Sequence, residues 1–479
     1  MNTFQEYQIP AVNSHSIAVI GSGFSGTMVA VQLLRHAEIA LTVYLIEANS
    51  RQFARGVAYS TDSDCHLLNV PAANMSAFPD DPGHFLRWAR TREKNLLNAP
   101  WVTDFTGNTF LPRRAYGEYL FEVLDKAERA AAAGVHLDKK IDQVIGLSID
   151  DQGITVTLLG GERLQVQKAV LAIGNFPPCD PVIDNPSFYQ SPRYYSNPWK
   201  PGVLQALLKT KSCLLIGSGL TMIDWAVTLN HAGYRGTIHT VSRRGLLPQA
   251  HSPHAPAAFN IDPQAAPPSV RTWLHNIRDY IGVTGCDWRT VMDALRAHTP
   301  QLWANLPLSE RRRFLRHVRI YWDSHRHRLA PAVAERLAEL LASAQLFRHT
   351  ARILDYKQTG QGVDVLVRRR GQSQVETLSV EAVVNCSGPE SDYRKLGSPL
   401  VNDLLEQGLI NPDPLTLGLE VKADGALVNS SGGVSTGLFT LGPPQKGSLW
   451  ETIAVPEIRE QAESLAKTLL SSLGRQLPQ

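Results

Sequence analysis

The chain has 479 residues, too many for one ordinary core, so two or three domains are expected, and its 43% hydrophobic content is enough to fill them. Lysine and arginine number 47 against 44 aspartates and glutamates, and a balance so close to zero singles out neither nucleic acid nor an anionic membrane as a partner. Five scattered cysteines, Cys65, Cys179, Cys213, Cys286 and Cys386, form no Cys-x-x-Cys pair; this argues against a zinc ribbon or a dithiol redox centre and fits a reducing compartment.

The N-terminal stretch MNTFQEYQIPAVNSHS is polar and lacks the basic-then-apolar order of a secretory signal. No apolar run reaches the roughly 20 residues that span a bilayer. A cytoplasmic protein without membrane, nucleic-acid or metal partners is the expectation.

The first strong local pattern is a short apolar run, Ile17 to Ile20, followed by Gly21-Ser22-Gly23-Phe24-Ser25-Gly26 and a helical spacing from Thr27 to Leu34. A second apolar run, Thr42 to Ile46, ends at Glu47. The order is strand, glycine turn, helix, strand, acid. Gly21 permits the tight turn, Gly23 lets backbone N–H groups approach a pyrophosphate, and Gly26 lets helix and strand pack closely. An acid about 20 residues beyond the box accepts hydrogen bonds from ribose hydroxyls, which is the role expected of Glu47.

Residues 135–174 then read as short strands with turns at Asp151-Gln152-Gly153 and Gly160-Gly161, closing on the apolar run Ala169 to Ile173 and Gly174. A second box follows: strand Cys213 to Ile216, turn Gly217-Ser218-Gly219, helix from Leu220 and Thr221 to Leu229, strand Thr237 to Val241. Its third small position holds Met222, so a plain strand-to-helix turn with no ligand stays open. Where the first half has Glu47, the second has Ser242, Arg243 and Arg244. A carboxylate repels a 2′-phosphate, whereas a hydroxyl and guanidinium groups bind it, so this site reads as preferring NADPH to NADH. The competing reading is a solvated arginine pair at a strand end.

From Pro267 to Leu346 the pattern becomes helical, with Ser309 as a candidate N-cap and Phe314, Leu315, Val318 and Trp322 on one helical face. The basic run Arg311 to Arg328 has no recognition motif and reads first as a solvated face; an anion site for substrate or NADPH is the functional alternative. The second half repeats the meander, with turns near Gly360-Gln361-Gly362 and Gly371 and a closing run Ala382 to Asn385 before Gly388.

Two glycine boxes, each with a meander and an apolar strand closing on glycine, resemble the flavoproteins with two dinucleotide-binding domains. The stretches GVAYSTDSDCHLLNVPAANMSAFPDDPGHFLRW, LPRRAYGEYL, YYSNPW, GSGLTMID, SRRGLLP, YWDSHRHRLAP and GLFTLGPPQKGSLWETIAVPEIREQ further resemble a bacterial FAD/NAD(P)-binding family related to the N-hydroxylating, class B-like flavin monooxygenases. The resemblance runs from Gly21 to about Gln461. It implies an α/β fold: two Rossmann-like dinucleotide-binding domains with β-meanders and a helical insertion. Residues 1–200 would begin the FAD-binding domain, 201–390 form the NADPH-binding domain with the insertion at about 267–346, and 391–479 return to the first domain.

By the same resemblance FAD contacts Gly21 to Gly26, Glu47, Leu68, Asn69, Val144, Gly174, Gly442 and Trp450, and NADPH contacts Gly217 to Thr221 and Ser242 to Arg244. The loop Leu67 to Met75 lies near the flavin ring, which makes Asn69, Asn74 and Met75 candidates to face it; local backbone capping is the bland reading of both asparagines. The family usually has Asp after the glycine at 442, where this chain has Pro443. Backbone groups around Gly442 and a helix starting near Trp450 are expected to substitute. Tyr116 and Tyr119 read as core residues rather than catalysts.

The implied reaction begins with NADPH reducing FAD. In the related monooxygenases a C4a-(hydro)peroxyflavin then oxygenates a small nucleophilic substrate, and the Baeyer–Villiger fingerprint is missing between the boxes, so an amine is expected rather than a ketone. A reductase without oxygenation and a non-catalytic nucleotide-binding protein are the alternatives. Oxygen and a small molecule are the expected partners, and self-association stays open.

Overall fold

The computed structural model describes residues 15–102, 104–254, 259, 261 and 268–474. Residues 1–14 of the polar N-terminal stretch and Pro267, the expected start of the insertion, lie outside the described residues.

A six-stranded sheet runs in the order Ala426–Val428, Val434–Thr440, Lys168–Leu171, His15–Ile20, Leu41–Glu47, Val135–Ile141. Its central strands are parallel, with Ile17 opposite both Val43 and Lys168. Ile17 and Val19 face the helices on one side of the sheet, and Ala18 and Ile20 face the apolar residues between Val144 and Val166 on the other; covered on both faces, the strand reads as an unbroken apolar run, with Ile17 to Ile20 at most 5% exposed. The helix Phe24–His36 crosses between the first two strands and packs on the C-terminal helix Val455–Gly474. The chain thus leaves this sheet after Leu171 and comes back to it at residue 426.

A seven-stranded sheet takes the segment between, in the order Val375–Val380, Val363–Arg369, Leu346–Gln358, Thr237–Ser242, Ser212–Ile216, Ala382–Asn385, Tyr194–Tyr195. The two halves differ in how the meander is attached. In the first, Val144–Asp150, Gly153–Leu158 and Arg163–Val166 form a separate antiparallel sheet. In the second, one long strand does both jobs: Leu346 to Thr350 pairs in parallel with Ile238 to Ser242, and Ala351 to Gln358 pairs antiparallel with Val363 to Arg369. A register irregularity between Ile353 and Asp355 supplies the local bend such a change of partner needs.

The insertion is a run of helices, Val270–Thr284, Trp288–Arg296, Thr299–Asn305, Leu308–His317, Arg319–Arg326 and Pro331–Ala342. Phe314, Leu315, Val318 and Trp322 meet in one apolar cluster as their spacing predicts, joined by Trp303, Leu415, Leu417 and Trp450. Ser309 is not the N-cap. The helix starts at Leu308, directly after Pro307, which leaves Ser309 inside the first turn. Proline pushes its predecessor out of helical geometry, so the break falls at Leu306 (ψ 128°) and the next helix begins without a spare position for a serine cap.

Candidate cofactor sites and the junction between them

Gly21 has φ 98°, and a Cβ there would lie 2.4 Å from the carbonyl oxygen of Ala172. A Cβ on Gly26 would lie 1.9 Å from the carbonyl oxygen of Gly21. Both positions exclude any side chain, which is why the box carries glycine there. Gly23 precedes the helix Phe24–His36, whose N-terminus has no side-chain cap and no acid in its first turn. The first-turn N–H groups are therefore left for an anion. Glu47 is held beside them: one carboxylate oxygen accepts from the Ser22 amide and hydroxyl, both at 3.1 Å, and the other from the Asn49 amide at 3.2 Å.

The remaining first-site residues are distributed unevenly. Gly442 (φ 75°) comes against this turn, since a Cβ on it would lie 2.8 Å from Ser25 Oγ, and its own N–H is taken by Gln461 Oε1 at 2.9 Å. Gly174 (φ 63°) lies three residues beyond the end of the neighbouring strand Lys168–Leu171, with nothing within 4 Å of a Cβ built on it. Val144 packs in one cluster with Ile20 and Ile46, at the same end of the sheet as the box. Leu68 and Met75 are buried, each 3% exposed, whereas Asn74 is exposed. The Asn69 carbonyl is 3.0 Å from His251 Nε2. Tyr116 and Tyr119 are fully buried core residues, as expected.

The helix expected near Trp450 begins at Val455. Pro456 explains the shift: it fits the first turn of a helix, but a start at Trp450 would put it in the interior at the cost of a hydrogen bond. Trp450 itself has φ 62°, is 4% exposed, and stacks on Trp303 with ring centroids 4.9 Å apart. The structure thus packs it into the insertion.

The second box repeats the cradle with one change. Gly217 (φ 106°) stands where a Cβ would be 2.6 Å from the Cys386 carbonyl, and Gly219 precedes the uncapped helix Leu220–His231 with nothing within 4 Å of a Cβ built on it. Met222, in place of a third glycine, is fully buried, and the Thr240 hydroxyl bonds the Gly217 carbonyl. Leu220 and Thr221 open the helix. Ser242 builds the turn after the strand: its oxygen accepts from Ser218 Oγ at 2.9 Å and from the Gly245 amide at 3.0 Å. Arg243 is exposed and Arg244 half-buried. Among the described residues neither guanidinium is in a hydrogen bond or an ion pair. Both cradles fit the pyrophosphate of a dinucleotide, through orphan helix N–H groups and space that only glycine leaves.

Between the cradles lies a polar seam that sequence reading missed. Arg113 Nη1 and Nη2 meet Asp224 Oδ2 and Oδ1 at 2.7 and 3.2 Å, and Arg113 Nε donates to the Leu67 carbonyl at 3.0 Å. His66 Nε2 is 2.7 Å from the Thr228 hydroxyl, with its other nitrogen 2.8 Å from Thr61 Oγ1. Burial pushes the His66 pKa down, against the pull of the Asp224 carboxylate. The only signal in sequence was the i, i+4 spacing of Asp224 and Thr228 on one helical face.

The basic run divides in two: Arg312 and Arg316 lie exposed, as the solvated-face reading expects, whereas Arg326 and Arg328, with Arg296 of an earlier helix, form ion pairs. Arg326 meets Glu451 at 3.0 Å, with the two side chains 9% and 4% exposed; Arg296 meets Glu457 at 2.6 Å; Arg328 pairs with Asp293. Arg311 donates to the Leu306 and Ala304 carbonyls at the end of the preceding helix. Burial lowers the pKa of His251 and of His327 to about 4, helped at His251 by the nearby Arg328 charge. A cavity of about 370 Å³, lined in part by Leu67, Trp101, Asp104, Phe110 and Glu335, opens between the Leu67 loop and the helix Pro331–Ala342.

Residues 18–176 match the FAD-NAD(P)-binding family. This segment holds the first box, Glu47 and the strand that closes the first half. Over nearly its whole length the chain is similar to an uncharacterised protein of Mycobacterium tuberculosis H37Rv, 24% identical over 535 aligned positions that cover 95% of each chain. Among solved structures it is similar to the reduced ornithine hydroxylase of Pseudomonas aeruginosa (TM-score 0.65, 16% identity, 96% of this chain and 100% of that one). It is also similar to the ornithine N-hydroxylase of Kutzneria sp. 744, solved with reduced FAD, NADP+ and L-ornithine (0.61, 13%, 97% and 100%). A third is the L-lysine 6-monooxygenase of Pseudomonas syringae (0.61, 16%, 96% and 100%). The fold is that of the flavoproteins with two dinucleotide-binding domains. Among the described residues no helix is long and apolar enough to cross a membrane.

Proposed function

We propose that the protein is an FAD-dependent, NADPH-consuming monooxygenase that hydroxylates a small amine: R–NH2 + O2 + NADPH + H+ gives R–NHOH + NADP+ + H2O. The observation that carries this reading is the pair of uncapped helix N-termini behind glycine turns, one backed by Glu47 and the other by Arg243 and Arg244, which have no partner among the described residues. The likeness to three amine-hydroxylating structures supports the choice of substrate class.

FAD belongs with residues 1–200 and 391–479, and NADPH with 201–390. When bound in the first cradle, FAD supplies the redox chemistry. Gly23 and the first turn after it hold its pyrophosphate, and Glu47 takes the ribose hydroxyls. Arg243 and Arg244 select the 2′-phosphate of NADPH. Leu68 and Met75 are packed into the apolar core beneath the Leu67–Met75 loop, so they anchor the loop rather than face the flavin. The cavity beside Leu67 is of a size that takes a small molecule; on its wall Arg336 is paired with Glu339, which leaves Asp104 and Glu335 to attract a cationic amine.

The test is NADPH oxidation by the FAD-loaded protein with and without oxygen, in the presence of candidate diamines and amino acids, with hydroxylamine product quantified. Oxygen-dependent turnover with hydroxylamine formed in step with NADPH consumed is the expected result. Turnover only with an artificial dye in the absence of oxygen would refute the oxygenase reading in favour of a reductase.

A further inference from the structure

Arg113 opens the helix Arg113–Arg129, next to the Leu67–Met75 loop. Its backbone N–H donates to the His66 carbonyl at 2.8 Å, and its Nε to the Leu67 carbonyl at 3.0 Å. The other end of the guanidinium grips Asp224 through two parallel bonds. Asp224 stands in the helix whose first residue, Leu220, follows Gly219 of the second cradle. One turn further along that helix, Thr228 meets His66 at 2.7 Å. Two adjacent residues, His66 and Leu67, are thereby tied to one helix, and that helix opens the second cradle with its N-terminus uncapped.

We propose that Arg113 is a positioning residue, which fixes the distance and angle between the flavin-side loop and the NADPH-binding helix and so sets the approach of the two cofactors. This inference rests on the functional reading given above. Three features favour positioning over general stabilisation. The ion pair is largely buried, its side chains 15% and 12% exposed, and a buried pair contributes little net stability compared with apolar residues of the same size. The fork is bidentate, which defines an angle as well as a distance and which lysine cannot reproduce. Its third bond goes to a main-chain carbonyl of the loop itself, so a single planar guanidinium joins the Asp224 carboxylate to the Leu67 main chain. Misplacement by about 1 Å between reacting groups costs on the order of 100-fold in rate.

The variants are Arg113→Lys, Asp224→Asn and the double substitution Arg113→Met with Asp224→Leu, which fills the seam with apolar groups and keeps the protein folded. In FAD-loaded protein, flavin content and NADPH dissociation constant are expected to stay within about two-fold of the parent, while anaerobic bleaching of the flavin by NADPH slows at least 10-fold in all three. Reduction by dithionite, which needs no docking, stays unchanged. Hydrogen–deuterium exchange at Leu67 to Asn69 and Leu220 to Thr228 rises in the Asp224→Asn protein. Bleaching by NADPH at the parental rate in the double variant would overturn the positioning role while leaving the proposed function standing. If the parent itself is not bleached by NADPH, the functional reading fails; unchanged exchange in both segments then refutes the tie on its own, and increased exchange upholds it as a link between the halves.

Discussion

Reversing the charge at Arg244 separates the two meanings an arginine at a strand end can have. The neighbouring Ser242 oxygen accepts from Ser218 and Gly245, which fixes the turn, and the guanidinium groups beside it carry the positive charge that discriminates between coenzymes. A hydrogen bond to a charged group contributes about 1.5–3 kcal/mol, and each 1.4 kcal/mol is ten-fold in affinity. Arg244, half-buried and without a partner among the described residues, is placed in this range, which corresponds to a rise of about 10- to 100-fold in KM for NADPH on Arg244→Ala, and a larger one for Arg244→Glu because the carboxylate repels the phosphate. Arg243 is exposed and contributes less, with an effect that fades as salt is raised. NADH has no 2′-phosphate, so its KM moves by less than about two-fold. The assay is steady-state coenzyme oxidation over a range of NADPH and NADH concentrations at low and moderate ionic strength. Equal changes for both coenzymes would show that the arginines hold the turn or lie idle in solvent. Ser242→Ala provides the contrast: it loosens the turn itself, so both KM values rise together.

Gly23 and Gly26, two of the three glycines of the first box, make a matched pair. Gly26→Ala drives a methyl into the Gly21 carbonyl and destabilises the fold, whereas a Cβ on Gly23 meets its nearest neighbour at an ordinary 3.6 Å; Gly23→Ala is therefore expected to keep its Tm and lose bound FAD, read from the flavin-to-protein absorbance ratio. Trp450→Ala removes a buried stacked ring and costs about 3–5 kcal/mol, measured by urea unfolding, while flavin content at low temperature stays normal; early FAD loss in a protein of unchanged stability would return Trp450 to the cofactor. His251 and His327 are held neutral, with pKa near 4 in the folded protein against about 6.5 when unfolded. Between those values the unfolded chain binds protons that the folded one does not, so stability falls as pH drops from about 6.5 to about 4, with a slope of at most about 1.4 kcal/mol per pH unit for each group and less where water reaches the ring. His251→Gln is expected to flatten the urea midpoint against pH, and an unchanged slope would remove His251 from the account.

What could be read from the sequence follows from how far apart the interacting residues are. The cradles were legible because turn, helix start and terminal charge lie within one strand-helix-strand unit, where spacing alone fixes which groups meet. The placement of Phe314, Leu315, Val318 and Trp322 on one face was legible for the same reason. The meanders looked alike because alternation reports a strand but not its partner: nothing in Leu346 to Gln358 marks the point where the strand leaves Thr237–Ser242 for Val363–Arg369. Trp450 was assigned toward the flavin because an aromatic ring after a glycine strand reads the same whether it faces a ligand or another tryptophan.

The seam at Arg113 is the extreme case. Its partner lies 111 positions away, on the far side of an entire meander; Arg113 alone reads as a polar helix start, and Asp224, the single acid of a largely buried helix, does not name the residue it meets. Only the recurrence of Asp224 and Thr228 one turn apart hints that this face meets something polar. Two cofactor cradles can be encoded locally, each complete within its own unit, but the geometry that lets one deliver electrons to the other must be encoded between units. Residues that set it are therefore expected where the halves touch, in long-range pairs with bidentate or main-chain bonds, and Arg113 with Asp224, beside His66 with Thr228, has that form.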